Sequence, residues 1–167
     1  MKGRIHATRD LPPRVVPIRV LNEMRGHALE THPEECCGLL VGPAPGRFEE
    51  VHRCRNEMTR LHRQDPVTWP RDGRQAFHMN EIDYQRVERH ADEGGQHVTG
   101  VYHSHVDAAA YFSEVDQAFV RDPLFPFPAA EHVVLAVLER KVVDAAVFWL
   151  DPRTGRFEGR PLAPEAA

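Results

Sequence analysis

The stretch VYHSHVDAAAYFSEVD, residues 101–116, decides the fold. It predicts a buried strand that closes on two histidines, a short irregular segment, and a helix that begins at Ser113. Residues i and i+2 of a strand point to the same side, so His103 and His105 present their imidazoles together. Asp116 falls in the first helical turn and can face back toward them. Two nitrogens and one oxygen are the ligand set of an open catalytic zinc site, in which water takes the fourth position.

Each half of this pattern also has a plainer interpretation. A serine with an acidic residue three positions later, as in Ser113 and Asp116, is the signature of a helix capping box. Two histidines on an exposed edge strand, as His103 and His105 would be, are ordinary. The metal hypothesis rests on the two halves occurring together, and it is compatible with capping because a cap fixes the helix that carries the ligand.

Length and composition predict one soluble domain over residues 1–167, large enough to bury about 70% of its unfolded surface. The net charge of −4 provides no basic surplus for nucleic acid or an anionic membrane. No apolar run approaches the roughly 20 residues of a membrane span, and the N-terminus has no apolar core typical of a signal peptide. Three cysteines, two of them adjacent, are a poor disulfide framework. Reduced thiols in a cytoplasmic protein are therefore expected.

Eleven histidines are a high count for this length. Five of those scattered among polar residues are His6, His27, His52, His62 and His90. We expect most of the histidines to be solvated surface imidazoles.

Hydrophobic periodicity and turn residues predict an α/β fold: a mixed, largely antiparallel β-sheet flanked by helices. The predicted helices cover residues 18–31, 81–93 and 113–120, and the predicted strands cover residues 36–42, 47–55, 75–79, 97–105, 132–138, 142–150 and 156–162. Residues 56–73 are polar, contain two prolines and show neither periodicity. We expect them to form a long surface loop, either a tolerated insertion or a functional lid anchored by Trp69.

A water molecule activated by zinc still needs a base to take its proton, and a carboxylate outside the ligand set can serve. Glu34 and Glu35 both stand directly before the predicted buried strand at residues 36–42. Charges at the edge of such a strand often mark only where burial stops. The position of the pair alone leaves both residues open as candidates.

These residues together resemble a known family. The run from His103 to Asp116 matches H-x-H-x7-S-x2-D, the motif of the JAMM (MPN+) metalloproteases, in every fixed position and gap. Residues 33–42, PEECCGLLVG, resemble the E-x2-G-L-L-x-G segment of that family, and in this register Glu35 falls on its catalytic glutamate. Val106 stands where many members have proline. The resemblance implies a JAMM/MPN, cytidine-deaminase-like architecture.

The resemblance also implies roles. His103, His105 and Asp116 would bind one zinc ion per chain. Glu35 would accept a proton from the zinc water and pass it to the leaving amine. Ser113 would donate a hydrogen bond to the developing oxyanion.

By the same resemblance, the chain would be a zinc-dependent peptidase or isopeptidase that hydrolyses the amide after the C-terminal glycine of a ubiquitin-like or sulfur-carrier protein. The partner would be a small protein with a Gly-Gly tail. Separately from the resemblance, the apolar residues Phe125 and Phe127 in the proline tract are candidates for a homodimer interface. Two alternatives are a non-catalytic scaffold of the same fold and a binding module for a ubiquitin-like protein.

Other metal and nucleophile chemistries fit less well. A metallo-β-lactamase motif, H-x-H-x-D-H, would need histidine at Ala108. Zinc deaminases need Pro-Cys-x-x-Cys, which is absent. No feature of the sequence distinguishes a cysteine nucleophile at Cys36, Cys37 or Cys54.

Overall fold

The computed structural model describes residues 3–166, which form four helices and seven strands. In chain order these are β1 (Arg14–Val16), α1 (Ile18–Thr31), β2 (Cys37–Gly42), β3 (Glu50–Cys54), α2 (Met58–Gln64), α3 (Glu81–Glu93), β4 (His97–Val106), α4 (Glu114–Arg121), β5 (Glu131–Leu138), β6 (Lys141–Leu150) and β7 (Phe157–Pro164).

The strands form one sheet in the order β1-β7-β6-β5-β4-β2-β3. Neighbouring strands run antiparallel except for two parallel pairs, β1 with β7 and β4 with β5. The predicted mixed, largely antiparallel sheet is therefore confirmed. β3 is an edge strand, whereas β4 is an inner strand with a hydrogen-bonded neighbour on each side.

Helices cover both faces of the sheet. On one face, α1 buries Val20, Leu21 and Met24 in a cluster with Tyr102 of β4 and Leu135 of β5. The apolar positions of α1 recur every three or four residues, so this burial follows from the sequence pattern.

The opposite face receives α3, whose Val87 and Ala91 share a second cluster with Leu39 of β2 and Val101 of β4. Side chains alternate along a strand, so β4 residues two and four positions after Val101 also point to this face. The histidine pair is therefore directed away from α1.

Local capping signals place α3 where the sequence predicts it. The Asn80 side chain accepts a hydrogen bond from the Asp83 backbone N–H at 2.9 Å, as an N-cap does. Gly94 ends the helix, and Gly95 follows with φ +67°, a conformation that favours glycine. The hairpin predicted between β5 and β6 also forms, with positive φ at Glu139 and Arg140.

The prediction of a continuous loop at residues 56–73 is wrong, because residues 58–64 form α2. Only Met58 of this helix is buried, so the hydrophobic periodicity is too weak to be seen in the sequence. The predicted anchoring by Trp69 agrees with its half-buried ring, which packs edge-to-face on His78 at 5.2 Å.

The strand predicted at residues 75–79 is also wrong, since Met79 makes only an isolated bridge with Asn56. The Asn56 side chain holds this part of the chain instead. Its amide donates to the carbonyls of Glu35 at 2.9 Å and Ala76 at 3.2 Å, and its oxygen accepts from the His78 N–H at 3.0 Å. Hydrogen bonds from the Asn56 side chain therefore hold this segment, which has no β-strand pairing beyond the single bridge.

Phe125 and Phe127, considered above as interface residues, are each only 8% exposed and belong to the core on the α3 face. That interface prediction is wrong, because the proline tract folds back onto the sheet. All three cysteines are free and buried, as expected. Within residues 3–166, no helix is long and apolar enough to cross a membrane.

Candidate metal centre

Three predicted ligands meet where β4 ends and α4 begins. The Nε2 atoms of His103 and His105 lie 3.2 Å apart. Asp116 places Oδ1 3.3 Å from His103 Nε2 and Oδ2 3.4 Å from His105 Nε2. All three residues are buried, with side chains between 2% and 9% exposed.

These separations fit a single tetrahedral ion. Zinc binds histidine nitrogen and carboxylate oxygen at about 2.0–2.1 Å, which puts neighbouring ligand atoms of a tetrahedron about 3.3 Å apart. The three observed donor separations, 3.2, 3.3 and 3.4 Å, match that value. The donor set is nitrogen, nitrogen and oxygen, so the residues present fit zinc with one position left for water.

A capping box fixes Asp116. The Ser113 Oγ accepts a hydrogen bond from the Asp116 N–H at 3.1 Å, and Asp116 Oδ2 accepts from the Ser113 N–H at 3.0 Å. Asp116 can therefore take part in the capping box with Ser113 and face the two histidines in the same conformation. Burial alone would raise the pKa of Asp116, but the two imidazoles hold that pKa well below its usual value.

Contacts of the rings orient the imidazoles. His105 Nδ1 lies 2.9 Å from the carbonyl oxygen of Ala109, which can only accept, so Nδ1 carries the proton. The lone pair of His105 Nε2 is then free to bind a metal. Phe77 packs on the His103 ring at 4.6 Å, and Tyr111 packs on the His105 ring at 4.9 Å.

Glu35 lies beside this group because of the pairing between β2 and β4. Cys37 pairs with His103 in antiparallel register, and two more residues of the same register bring Glu35 opposite His105. Its backbone N–H donates to the Gly73 carbonyl at 2.6 Å. Glu35 is 6% exposed, and burial together with the negative charge of Asp116 raises the pKa of its carboxyl to about 9.

Glu34, the other candidate base, is directed elsewhere. Its carboxylate accepts a hydrogen bond from the Thr59 hydroxyl. A Cβ atom at Gly73 would collide with Glu34 Oε1, so the backbone at Gly73 packs directly on this carboxylate. The structure thus separates the two glutamates, and only Glu35 borders the pocket described next.

A pocket of about 620 Å³ opens over the candidate centre. Four of the predicted site residues line it: Glu35, His105, Ser113 and Asp116. Trp69, proposed above as the anchor of a lid, also lines the pocket, whereas the sequence did not predict Arg71, Arg74, Phe77 and Tyr111 as lining residues. No motif or spacing in the sequence relates these four residues to the histidine pair.

Comparisons with known proteins identify the family and the fold of the chain. A family model described as prokaryotic homologs of the JAB domain matches residues 17–151. The CysO-cysteine peptidase of Mycobacterium tuberculosis is 26% identical over 109 residues. That match covers 65% of this chain and 66% of the peptidase, slightly less than two thirds of the relative's length.

Two solved structures share the fold. A protein from Desulfitobacterium hafniense superposes with a TM-score of 0.67 at 19% identity, covering 92% of this chain and 93% of that one. A protein from Salinibacter ruber gives a TM-score of 0.60 at 24% identity, covering 90% and 91% of the two chains.

Proposed function

Since the chain belongs to the family of prokaryotic homologues of the JAB domain, we propose that it is a zinc-dependent peptidase acting on the C-terminal tail of a small ubiquitin-like or sulfur-carrier protein. The observation that carries the proposal is the meeting of His103, His105 and Asp116 within 3.2–3.4 Å of one another, beside Glu35 in the same pocket. The resemblance to the M. tuberculosis CysO-cysteine peptidase supports the choice of substrate class.

The imidazoles of His103 and His105 and the carboxylate of Asp116 would hold the zinc ion. When bound, zinc lowers the pKa of a coordinated water to about 7 and polarises the substrate carbonyl. The chain contributes three ligand side chains that are buried from solvent and held in fixed positions. His105 is held in one tautomer by the Ala109 carbonyl, and Asp116 is held by the capping box.

Glu35 moves the proton. Burial and the negative charge of Asp116 raise the pKa of Glu35 to about 9 and so favour the neutral acid, whereas a cation bound at Asp116 would lower that pKa and favour the carboxylate. As a carboxylate, Glu35 accepts a proton from the attacking water. As an acid, it returns the proton to the leaving amine, as one group can do when its pKa is close to the working pH.

Ser113 is positioned to stabilise the transition state. Its Oγ already accepts a hydrogen bond from the Asp116 N–H, so the hydroxyl hydrogen remains available for donation. The residue also lines the pocket. Donation to a developing oxyanion typically accelerates the reaction about 10²- to 10³-fold.

Two exposed arginines in the pocket favour an amino acid as the leaving group. Arg71 and Arg74 line the same pocket as Glu35, and Arg71 is close enough to lower the pKa of Glu35. A free amino acid carries an α-carboxylate next to the cleaved amide, whereas a lysine side chain of a protein does not. Guanidinium groups bind carboxylates well. Cleavage of an amino acid from the tail is therefore the form of the reaction that we propose.

The test is zinc analysis followed by assay of a Gly-Gly tail fused to cysteine. We expect Glu35→Gln to retain zinc and lose turnover, whereas the neighbouring Glu34→Gln retains both. A non-catalytic scaffold would show neither zinc nor turnover, and a binding module would bind the tail without cleaving it. Wild-type protein that holds zinc but leaves every Gly-Gly fusion intact would refute the peptidase proposal.

A further inference from the structure

A second group of metal-binding side chains lies on the edge strand β3 and the helix α3. Glu50 and His52 are two residues apart on β3 and so point to the same side. His90, near the end of α3, approaches them. Glu50 Oε2 is 3.2 Å from His52 Nε2 and 3.2 Å from His90 Nε2. The two imidazole centroids are 4.9 Å apart.

The sequence assigned His52 and His90 to the solvated histidines, and the folded chain brings them together. Thirty-eight positions separate these two residues in the sequence, and no spacing motif relates them. Their proximity comes from the packing of α3 beside the outer strand of the sheet. Only the tertiary structure therefore reveals this cluster.

Geometry makes the cluster suitable for a late transition-metal ion. Two of the three donor separations are 3.2 Å, close to the about 3.3 Å expected between ligands of tetrahedral zinc. The three donor atoms all lie within 4.8 Å of one another. The His90 side chain is 54% exposed, so it can rotate to shorten the remaining separation. Imidazole ligands suit Zn²⁺, Ni²⁺ and Cu²⁺, and zinc also binds a carboxylate oxygen.

Charge favours a cation here as well. A single carboxylate oxygen of Glu50, Oε2, lies within hydrogen-bonding distance of both imidazoles. An exposed glutamate is ionised at neutral pH, so the cluster contains one negative charge. Two neutral imidazoles can each offer a lone pair beside this anion once their Nε2 atoms are unprotonated.

We propose that Glu50, His52 and His90 form a second divalent-metal site, independent of the proposed peptidase centre. The ion would join the edge strand β3 to α3. Because the cluster is more exposed than the buried centre formed by β4 and α4, we expect weaker binding. A metal that clamps an edge strand stabilises only the folded chain, so its binding would raise the melting temperature.

Titration of the metal-free protein with zinc sulfate tests the proposal. We expect wild-type protein to bind two equivalents, with the weaker one lost in His90→Ala and in Glu50→Gln. His97→Ala, which removes an exposed histidine outside the cluster, should still bind two. The second equivalent should raise the melting temperature of wild-type protein and have no such effect in His90→Ala.

Copper provides a second readout that does not depend on stability. One equivalent of Cu²⁺ added to His103→Ala, which lacks a ligand of the buried centre, should give an electron paramagnetic resonance signal with coupling to two nitrogens. That signal should disappear when His52→Ala is added. The inference would be overturned if wild-type protein bound a single zinc equivalent that both His90→Ala and Glu50→Gln retain, or if it bound two and both folded variants retained the second.

Discussion

The backbone N–H of Cys36 donates a 2.8 Å hydrogen bond to the hydroxyl of Ser104, which is fully buried between the two histidines of β4. This bond joins the residue after Glu35 to the strand that carries the candidate ligands. Ser104 points away from the pocket, as alternation along a strand requires. It is a link between two parts of the centre and not a reacting group.

Ser104→Ala should therefore destabilise the protein without removing the metal. The variant leaves the buried Cys36 N–H without an acceptor, which costs about 1–3 kcal/mol. Urea unfolding measures this loss, and zinc analysis should still find the buried centre filled. An unchanged free energy of unfolding would show that the Ser104 hydroxyl does not have this linking role.

Substitutions at Ser113 can separate capping from catalysis. Glycine is a fair N-cap, so Ser113→Gly should cost only a few tenths of a kcal/mol, whereas Ser113→Ala should cost about 1 kcal/mol. Both remove the hydroxyl and should lower kcat about 10²- to 10³-fold. Unfolding curves and turnover of the cysteine fusion measure the two effects. Ser113→Gly with normal kcat would exclude the hydroxyl as an oxyanion donor.

The arginines of the pocket should act on the leaving group. Arg71→Ala or Arg74→Ala should raise KM about tenfold for a tail that ends in cysteine with a free carboxylate, because a charge-assisted hydrogen bond is lost. The same tail ending in cysteine amide should be nearly unaffected. Arg63→Ala, which removes an exposed arginine from α2 outside the pocket lining, is the matched control. Equal effects on acid and amide would contradict carboxylate binding.

The expectation that His27 is a solvated imidazole is wrong, because its side chain is buried between α1 and the sheet, and this burial should make stability depend on pH. Burial, and then the charge of Arg53, lowers the pKa of His27 to about 4, although Glu30 opposes the shift. Its Nδ1 lies 2.7 Å from the Tyr102 hydroxyl. The folded pKa is below the unfolded value near 6.5, so the unfolded chain binds the proton more readily. Stability is retained above pH 6.5 and falls as the pH approaches 4.

Between pH 7 and pH 5 this group should remove on the order of 1–2 kcal/mol of unfolding free energy. Urea unfolding at both values, with a chelator present so that pH-dependent metal release does not contribute, gives the measurement. His27→Gln keeps an acceptor for the Tyr102 hydroxyl but does not titrate. Its unfolding free energy should therefore fall by about 1–2 kcal/mol less than that of wild type between pH 7 and pH 5. Equal losses in both proteins would contradict the assignment.

The candidate centre could be predicted from sequence because its signals are local. A strand end presents His103 and His105 on one side, and a capping box fixes Asp116 three residues into the next element. Both rules act over a few residues. The order of the strands was not predictable in this way, since the parallel pairing of β4 with β5 depends on contacts distant in sequence.

The residues around the pocket were not predictable for the same reason. Asn56 organises the segment that carries Arg71 and Phe77 through side-chain bonds to the backbone of Glu35 and Ala76. Such bonds leave no hydrophobic period in the sequence. The cluster at Glu50 and its two histidines likewise depends on one helix packing on one edge strand.

The capping box described above gives one carboxylate two partners of different kinds. Asp116 closes the first turn of α4 through the Ser113 N–H and faces the two imidazoles at the same time. Any molecule that draws this side chain away from the histidines must also open the beginning of the helix. α4 also supplies Val115 and Phe119 to the wall of the pocket. Loss of Asp116 as a ligand would therefore change the shape of the pocket at the same time.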